Sequence, residues 1–114
     1  MNSKQKSKLL LAELEDIKGR TISCIDVRKL TGITDYMVIA TGTSSTHIKA
    51  LSDAVIKKCK TSGLTIVGVE GRQHAEWVLV DVGDVVVHIM TASARELYSL
   101  EDLWSFGKPV AGLK

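Results

Sequence analysis

Residues 77–90 read WVLVDVGDVVVHIM and constrain the fold more than any other stretch of the chain. The run is rich in β-branched valine, and Gly83-Asp84 interrupts it where a two-residue β-hairpin turn would lie. A turn at this position fixes three cross-strand pairs: Val82 with Val85, Val80 with Val87, and Val78 with Ile89. Because cross-strand partners share a face, these aliphatic side chains form one face of the hairpin, and we expect this core face to be buried.

The opposite side of the hairpin, called the mixed face below, combines apolar, aromatic and charged side chains. Its members are Trp77, Leu79, Asp81, Val86, His88 and Met90. One interpretation is that a helix covers this face, since sheets in mixed folds are often covered on both sides and Trp and Met are common core residues. The other is a partly open face that forms the centre of an interface with a polar rim. The pattern alone leaves both interpretations open.

Two segments before the hairpin have the apolar spacing of helices. Residues 5–18 place Leu10, Leu14 and Ile17 about one turn apart, and Gly19 follows where a helix tends to end. Ser44 or Ser45 can cap a second helix, which ends near residue 63 and has the apolar stripe Ile48, Leu51, Val55 and Cys59. Its polar face carries several lysines, which we interpret as solvated surface rather than a binding patch: Lys49, Lys57, Lys58 and Lys60.

A third helix is predicted after the hairpin. Ser93 and Glu96 have the spacing of a capping box, and the apolar positions that follow are Leu97, Leu100 and Trp104. Gly107 and Pro109 are expected to end this helix.

Short β-branched runs complete the predicted elements. Residues 21–27 and 36–41 are expected to pair as strands, and residues 64–69 form another. The predicted order is αββαβββα. We therefore expect an α/β (α+β) fold with a single mixed β-sheet of about five strands, with helices packed on it rather than in three full layers. One domain is expected over residues 1–114, with a tail from about residue 105 that can be flexible.

Composition and charge exclude several classes of protein. The formal net charge of +2 is too small for a protein that binds nucleic acid by phosphate neutralisation alone. No apolar run approaches the ~20 residues of a membrane span, and no signal peptide is evident, so we expect a cytoplasmic protein without membrane contact. Cys24 and Cys59 lack a CxxC spacing, and we expect both to be buried, reduced thiols.

No catalytic, metal or cofactor site is predicted. The turn GTSS, residues 42–45, lies between a strand and a helix and could hold a phosphate, but it lacks the lysine of a Walker loop and fits a small-residue N-cap better. Asp81 and Asp84 flank a turn rather than face one ion, and Asp84 is interpreted as a turn residue. The remaining candidate ligands have no zinc-site spacing: His74, His88, Glu70 and Glu76.

Three stretches together resemble the ribosomal silencing factor family, also called the iojap-like family: TDYMVIATGTSSTHIKAL, GVEGRQHAEWVLVDVGDVVVHIM and RELYSLEDLW. The likeness is colinear from about Asp26 to Trp104. It implies a nucleotidyltransferase-like fold without known transferase chemistry. It also implies binding to the large ribosomal subunit through ribosomal protein uL14, which would sterically block joining of the small subunit and repress translation or guard subunits during assembly.

The resemblance also assigns partner-binding residues. It implies contacts by Trp77, Leu79 and Asp81, with Glu70, Gly71, His88 and Tyr98 in the same motif blocks, and the mixed face adds Met90. Thr46 departs from the family pattern, in which many relatives carry a basic residue, so direct rRNA contact at that turn is left undecided. Isolated relatives are often homodimers, which the sequence does not decide for this chain.

Two other functions compete with ribosome binding. The first is a nucleotidyltransferase-type enzyme that uses the GTSS turn, but residues 64–69 lack the acidic pair that such an enzyme needs on its next strand. The second is a dimerisation module without any other partner.

Overall fold

The computed structural model describes residues 1–73 and 76–101 of the chain. The helices are α1 (Ser3–Asp16), α2 (Ser45–Thr61) and α3 (Ala92–Tyr98), and the strands are β1 (Arg20–Asp26), β2 (Tyr36–Thr41), β3 (Gly68–Glu70), β4 (Trp77–Asp81) and β5 (Val85–Met90). This order, αββαβββα, confirms the predicted one. The predictions for His74, Trp104, Gly107, Pro109 and the tail from about residue 105 lie outside the described residues.

The strands form one five-stranded sheet in the order β1-β2-β5-β4-β3. The central pair β2 and β5 is parallel, whereas β1 with β2, β5 with β4, and β4 with β3 are antiparallel. The fold class, a mixed sheet of five strands with helices packed on it, is therefore confirmed. All six residues of β2 are buried, as expected for a strand with neighbours on both edges and both faces covered.

The hairpin of β4 and β5 has the predicted register. Val80 pairs with Val87 and Val78 with Ile89, while the amide of Val82 donates to the Val85 carbonyl at 2.9 Å across the two-residue turn. All the side chains predicted for the core face are buried: Val78, Val80, Val82, Val85, Val87 and Ile89. The prediction from valine alternation and the Gly83-Asp84 turn is confirmed.

Helices α1 and α2 pack on this core face. The predicted α2 stripe of Ile48, Leu51, Val55 and Cys59 is completely buried, as are Leu10 and Leu14 of α1. α1 begins earlier than predicted because Asn2 and Gln5 form a capping box, in which each side chain accepts from the other residue's backbone amide.

The boundaries of β3 and α3 also differ from the predicted ones. β3 covers only Gly68–Glu70 instead of residues 64–69, because the Leu64 amide continues the α2 C-terminus by donating to the Cys59 carbonyl. Helix α3 is capped by Thr91 rather than Ser93: the Thr91 hydroxyl accepts from the Ala94 amide at 3.1 Å. α3 ends at Tyr98, before Ser99 in a left-handed conformation.

The prediction that both cysteines are buried is wrong for Cys24. Cys59 lies on the buried side of α2, but Cys24 is exposed because β1 is an edge strand with a neighbour on one side only. Within the described ranges, no helix has the length and apolarity to cross a membrane.

Candidate protein-interaction surface

The mixed face is covered over only part of its width. Helix α3 places Ala94 on a second apolar cluster beneath it, formed by Val27, Met37, Ile39 and Met90. On β4 and at the start of β5, the side chains of Leu79, Asp81 and Val86 are only partly buried. Each of the two sequence interpretations therefore holds for one part of the face: a helix covers the part on β1, β2 and the end of β5, and the part on β4 stays accessible.

Trp77 lies at the boundary between the covered and accessible parts. Its ring centroid is 4.7 Å from that of Tyr98 on α3 and 5.8 Å from that of His88 on β5, both in tilted arrangements. Tyr98 is 50% exposed and the adjacent Leu97 is 76% exposed. The apolar spacing placed Leu97 in the predicted third helix, and in the structure its side chain is exposed near the C-terminal end of α3.

His88 is an internal partner of Trp77 rather than an exposed side chain. Only 5% of it is accessible, and its Nδ1 accepts a 2.9 Å hydrogen bond from the Trp77 indole N–H. Burial lowers the pKa of His88 from its ordinary value of 6.5 to about 4. His88 therefore orients the tryptophan ring, and its predicted direct contact with a partner is limited to this small accessible fraction.

An acidic rim lies beside the aromatic side chains. In the sheet, Leu79 sits between Glu70 on β3 and His88 on β5, so these three side chains share the mixed face. Glu70 is exposed, and Asp81, one residue pair further along β4, is partly buried. Asp81 also accepts from the Gly83 amide at 2.8 Å, which stabilises the hairpin turn.

Gly71 supports the position of Trp77 through its backbone. Its φ is +87°, and a Cβ atom built on it would lie 2.1 Å from the Trp77 carbonyl oxygen. Only glycine accommodates both the conformation and the close approach. The resemblance assigns Gly71 to the interaction surface, and in the structure this glycine lies against the backbone of Trp77.

Met90 was predicted to belong to the interaction surface, and the structure contradicts this prediction. It is paired with Trp77 across β4 and β5, but it is completely buried between the sheet and α3. A side chain without accessible surface cannot contact a partner, so Met90 is excluded from the surface defined next. The remaining predicted residues form a candidate docking surface, called the docking surface below, which consists of Trp77, Leu79 and Tyr98 with Glu70 and Asp81 at its rim.

Polar groups of the GTSS turn form hydrogen bonds that cap helix α2. The Ser44 hydroxyl accepts from the His47 amide at 3.1 Å, and His47 Nδ1 accepts from the Thr43 amide at 2.9 Å. This confirms the N-cap interpretation.

Asp84 forms an ion pair with Lys6 at 3.1 Å. Among the described residues, no three His, Cys, Asp or Glu side chains are grouped so that they could hold a metal ion.

Comparison with known proteins identifies the family. Residues 1–111 match the family described as "RsfS: Ribosomal silencing factor during starvation". The chain belongs to the ribosomal silencing factor family. A ribosomal silencing factor RsfS of Chromobacterium violaceum is 48% identical over 109 residues, which cover 96% of this chain and 89% of that protein. The RsfS of Haemophilus influenzae is 46% identical over 96 residues, or 84% of this chain and 94% of that one.

The fold and a further relative agree with membership of the silencing factor family. A crystal structure of a Chromobacterium violaceum protein superposes with a TM-score of 0.91 at 46% identity, over 100% of this chain and 95% of that one. A mouse protein named "Mitochondrial assembly of ribosomal large subunit protein 1" is 35% identical over 102 residues, which are 85% of this chain and 44% of that protein. The resemblance stated from the sequence motifs is confirmed.

Proposed function

We propose that this silencing factor binds the large ribosomal subunit through ribosomal protein uL14 and sterically blocks its association with the small subunit, which represses translation. The observation that carries the proposal is the docking surface, in which a tryptophan held by two aromatic neighbours lies beside accessible apolar and acidic side chains. Family membership and the assembly function in the mouse relative's name support the ribosome as the partner.

Preorganisation of Trp77 supports a role in docking. The indole is fixed by its hydrogen bond to His88 and by the Tyr98 ring 4.7 Å away, so little side-chain entropy is lost when a partner covers it. Aromatic residues held in this way are the side chains in which binding energy is usually concentrated. The apolar centre with an acidic rim matches the composition of protein interfaces.

The charge of the rim favours a basic partner. Glu70 and Asp81 border the aromatic centre, and neither forms an ion pair with another described residue. Proteins that hold RNA carry basic surfaces, and complementary charge increases both the association rate and the specificity of docking. A ribosomal protein therefore fits this surface better than a nucleic acid, whose phosphates the two carboxylates would repel.

The proposed mechanism is non-catalytic. Its effect requires only that a folded domain occupy the surface at which the subunits join, so no bond is made or broken and no metal or cofactor takes part. The capping role of the GTSS turn supports this, since its hydroxyl and amide groups already serve helix α2.

The proposal is tested by sucrose-gradient sedimentation with separated ribosomal subunits. Leu79→Glu adds a charge to the docking surface, and Trp77→Ala removes its centre; Ile33→Glu makes a matched change at a residue that is 87% exposed in another part of the chain. Removing about 2 kcal/mol of binding energy lowers affinity about thirtyfold. We therefore expect that neither docking variant sediments with the large subunit, whereas the Ile33→Glu variant still does.

Folding is checked first by circular dichroism and thermal melting, because Trp77 also packs against the buried cluster. Subunit joining should recover in the presence of the folded docking variants. If they sediment with the large subunit and block joining as the parent does, the proposal is wrong.

A further inference from the structure

We propose that Arg95 is the positioning residue of the docking surface: it ties α3 to β1 and β2 and thereby holds the Tyr98 ring against Trp77. The consequence for partner binding rests on the proposed function, whereas the effect on Trp77 itself does not. Arg95 belongs to the RELYSLEDLW motif, in which the partner-binding assignment used only Tyr98.

The guanidinium of Arg95 connects three parts of the chain. Its Nε donates to Glu101 Oε1 at 2.7 Å, Nη1 to Thr41 Oγ1 at 2.9 Å, and Nη2 to Ser23 Oγ at 3.0 Å. Nη1 also donates to the Thr21 carbonyl. The acceptors lie on β1, on β2 and beyond the end of α3, and the Arg95 side chain is only 10% exposed. A planar group with donors in a fixed fork can bridge these acceptors, which a single lysine ammonium cannot do.

Glu101 completes the connection on the other side of the helix end. It accepts from Ser23 Oγ at 2.6 Å as well as from Arg95. The hydrogen bond from Arg95, assisted by the one from Ser23, lowers the pKa of Glu101, so that the carboxylate stays ionised near neutral pH. Charge-assisted hydrogen bonds that are mostly shielded from water are stronger than exposed pairs.

Helix α3 has few other contacts that would hold it in place. It has only seven residues, and helices this short are unstable without tertiary contacts. Ala94 is its one buried apolar side chain, while Leu97 and Tyr98 point to the accessible side. Besides Ala94 and the hydrogen bond from the Thr91 amide to the Glu76 carbonyl at its N-terminus, α3 is held on the sheet by the Arg95 hydrogen bonds and by the partly buried Leu100 beyond the helix.

The position of Tyr98 depends on this attachment. Tyr98 follows Arg95 by three residues and so lies about one helical turn further along the same side. With Arg95 in place, the Tyr98 ring packs 4.7 Å from the Trp77 ring. If α3 is released, Trp77 loses one of its two aromatic neighbours while its His88 hydrogen bond in the sheet remains.

The first test needs no ribosome. In a Trp104→Phe background Trp77 is the only tryptophan, and its accessibility is measured by acrylamide quenching of fluorescence. We expect Arg95→Ala to raise the quenching constant at least about twofold, because the aromatic packing that shields the indole is lost. Arg28→Ala, which removes an exposed arginine paired with Asp26, should leave the constant unchanged.

Two further variants keep this test decisive. Tyr98→Ala should raise quenching as much as Arg95→Ala, and the two changes together should add nothing, since both remove the same contact. Arg95→Lys keeps the positive charge but loses the planar, forked guanidinium, so this variant should also raise the quenching constant. If Arg95→Ala fails to fold, Arg95→Lys is used in its place. Unchanged quenching in a folded Arg95 variant, or additive effects of Arg95 and Tyr98, would overturn the proposal.

The second test is a double-mutant cycle on large-subunit binding. Arg95→Ala should weaken binding at least about tenfold in the parent but less than about threefold in a Tyr98→Ala background, because a residue that acts through Tyr98 has nothing left to position. An equal loss in both backgrounds would mean that Arg95 acts directly or through general stability, and the proposal would be wrong. Absence of binding by the parent would instead refute the proposed function, and the quenching result would still decide the role of Arg95.

Discussion

The indole N–H of Trp77 donates to Nδ1 of His88 at 2.9 Å, and this bond determines which ring nitrogen of the neutral histidine carries the proton. The indole nitrogen can only donate, so Nδ1 has to accept, and the proton of the neutral ring lies on Nε2. A protonated His88 would present a second donor to Trp77 and break the bond. The centre of the docking surface is therefore built for an uncharged imidazole.

This arrangement predicts a loss of stability in mild acid. The pKa of His88 is lowered to about 4 in the folded chain, whereas it is near 6.5 in the unfolded chain. Between these values the unfolded chain binds a proton that the folded chain does not, so the free energy of unfolding falls as the pH drops from about 6.5 to 4, by up to about 3 kcal/mol. Urea unfolding at a series of pH values measures this fall.

His88→Asn is the control for that titration. An asparagine retains an acceptor for the Trp77 indole but has no proton to gain in this range. We expect the variant to lose clearly less stability than the parent over the same pH interval. Parallel pH curves for the two proteins would show that another group is responsible.

The assignment of the two hairpin faces predicts that the same substitution destabilises the protein much more at Val80 than at Val86. Val80 is fully buried on the core face, and Val86 is partly buried on the mixed face. Val80→Asp should unfold the protein or cost at least about 4 kcal/mol, because it buries a charge without a partner. Val86→Asp should cost about 1 kcal/mol, mainly from the like charge of Asp81 opposite it. Thermal melting separates these cases, and equal losses would contradict the assigned faces.

Gly71 and Gly68 provide a matched pair in and beside β3. Gly71→Ala has to accommodate a positive φ and a Cβ atom 2.1 Å from the Trp77 carbonyl, and we expect it to cost at least about 2 kcal/mol. Gly68→Ala meets no atom within 4 Å and should change stability by less than about 0.5 kcal/mol. Chemical denaturation measures both. A stable Gly71→Ala variant would mean that the backbone approach to Trp77 can relax.

The occupied GTSS turn predicts that the protein does not turn over nucleotides. The hydroxyl of Ser44 and the amide of Thr43, which a phosphate would require, are engaged with His47. With magnesium and each of the four nucleoside triphosphates, we expect no release of phosphate or pyrophosphate above background. Activity that copurifies with the protein and disappears in Ser44→Ala, but not in Thr46→Ala, would contradict a non-catalytic function.

The sequence predicted those elements whose signals are local. Valine alternation around Gly83-Asp84 fixes the hairpin register without any other part of the chain, and the spacing of Ile48, Leu51 and Val55 defines the buried side of α2. Ser44 was one of two adjacent serines proposed as the cap, and the hydrogen bond to the His47 amide selects it.

Features that depend on distant contacts were not predictable in the same way. Thr91 and Ser93 are both good N-caps, and Thr91 is selected because its own amide is held by the carbonyl of Glu76, the residue before β4. The exposure of Cys24 follows from the edge position of β1 in the sheet. Met90 is covered by α3, and the hydrogen bonds that join this helix to the sheet run from Arg95 to Thr41 on β2 and Ser23 on β1, which are far away in sequence.

The sheet order has a consequence for synthesis of the chain. Among the strands of the described residues, β5 is made last, yet it lies at the centre of the sheet between β2 and β4. The β4–β5 hairpin closes a two-residue loop and forms quickly, but the parallel pairing of Tyr36 with Val85 has to close a loop that contains all of α2, β3 and β4. Until Val85–Met90 has left the ribosomal exit tunnel, the β1–β2 pair has no central neighbour, so the core of a nascent chain stays incomplete until all five of these strands have been made.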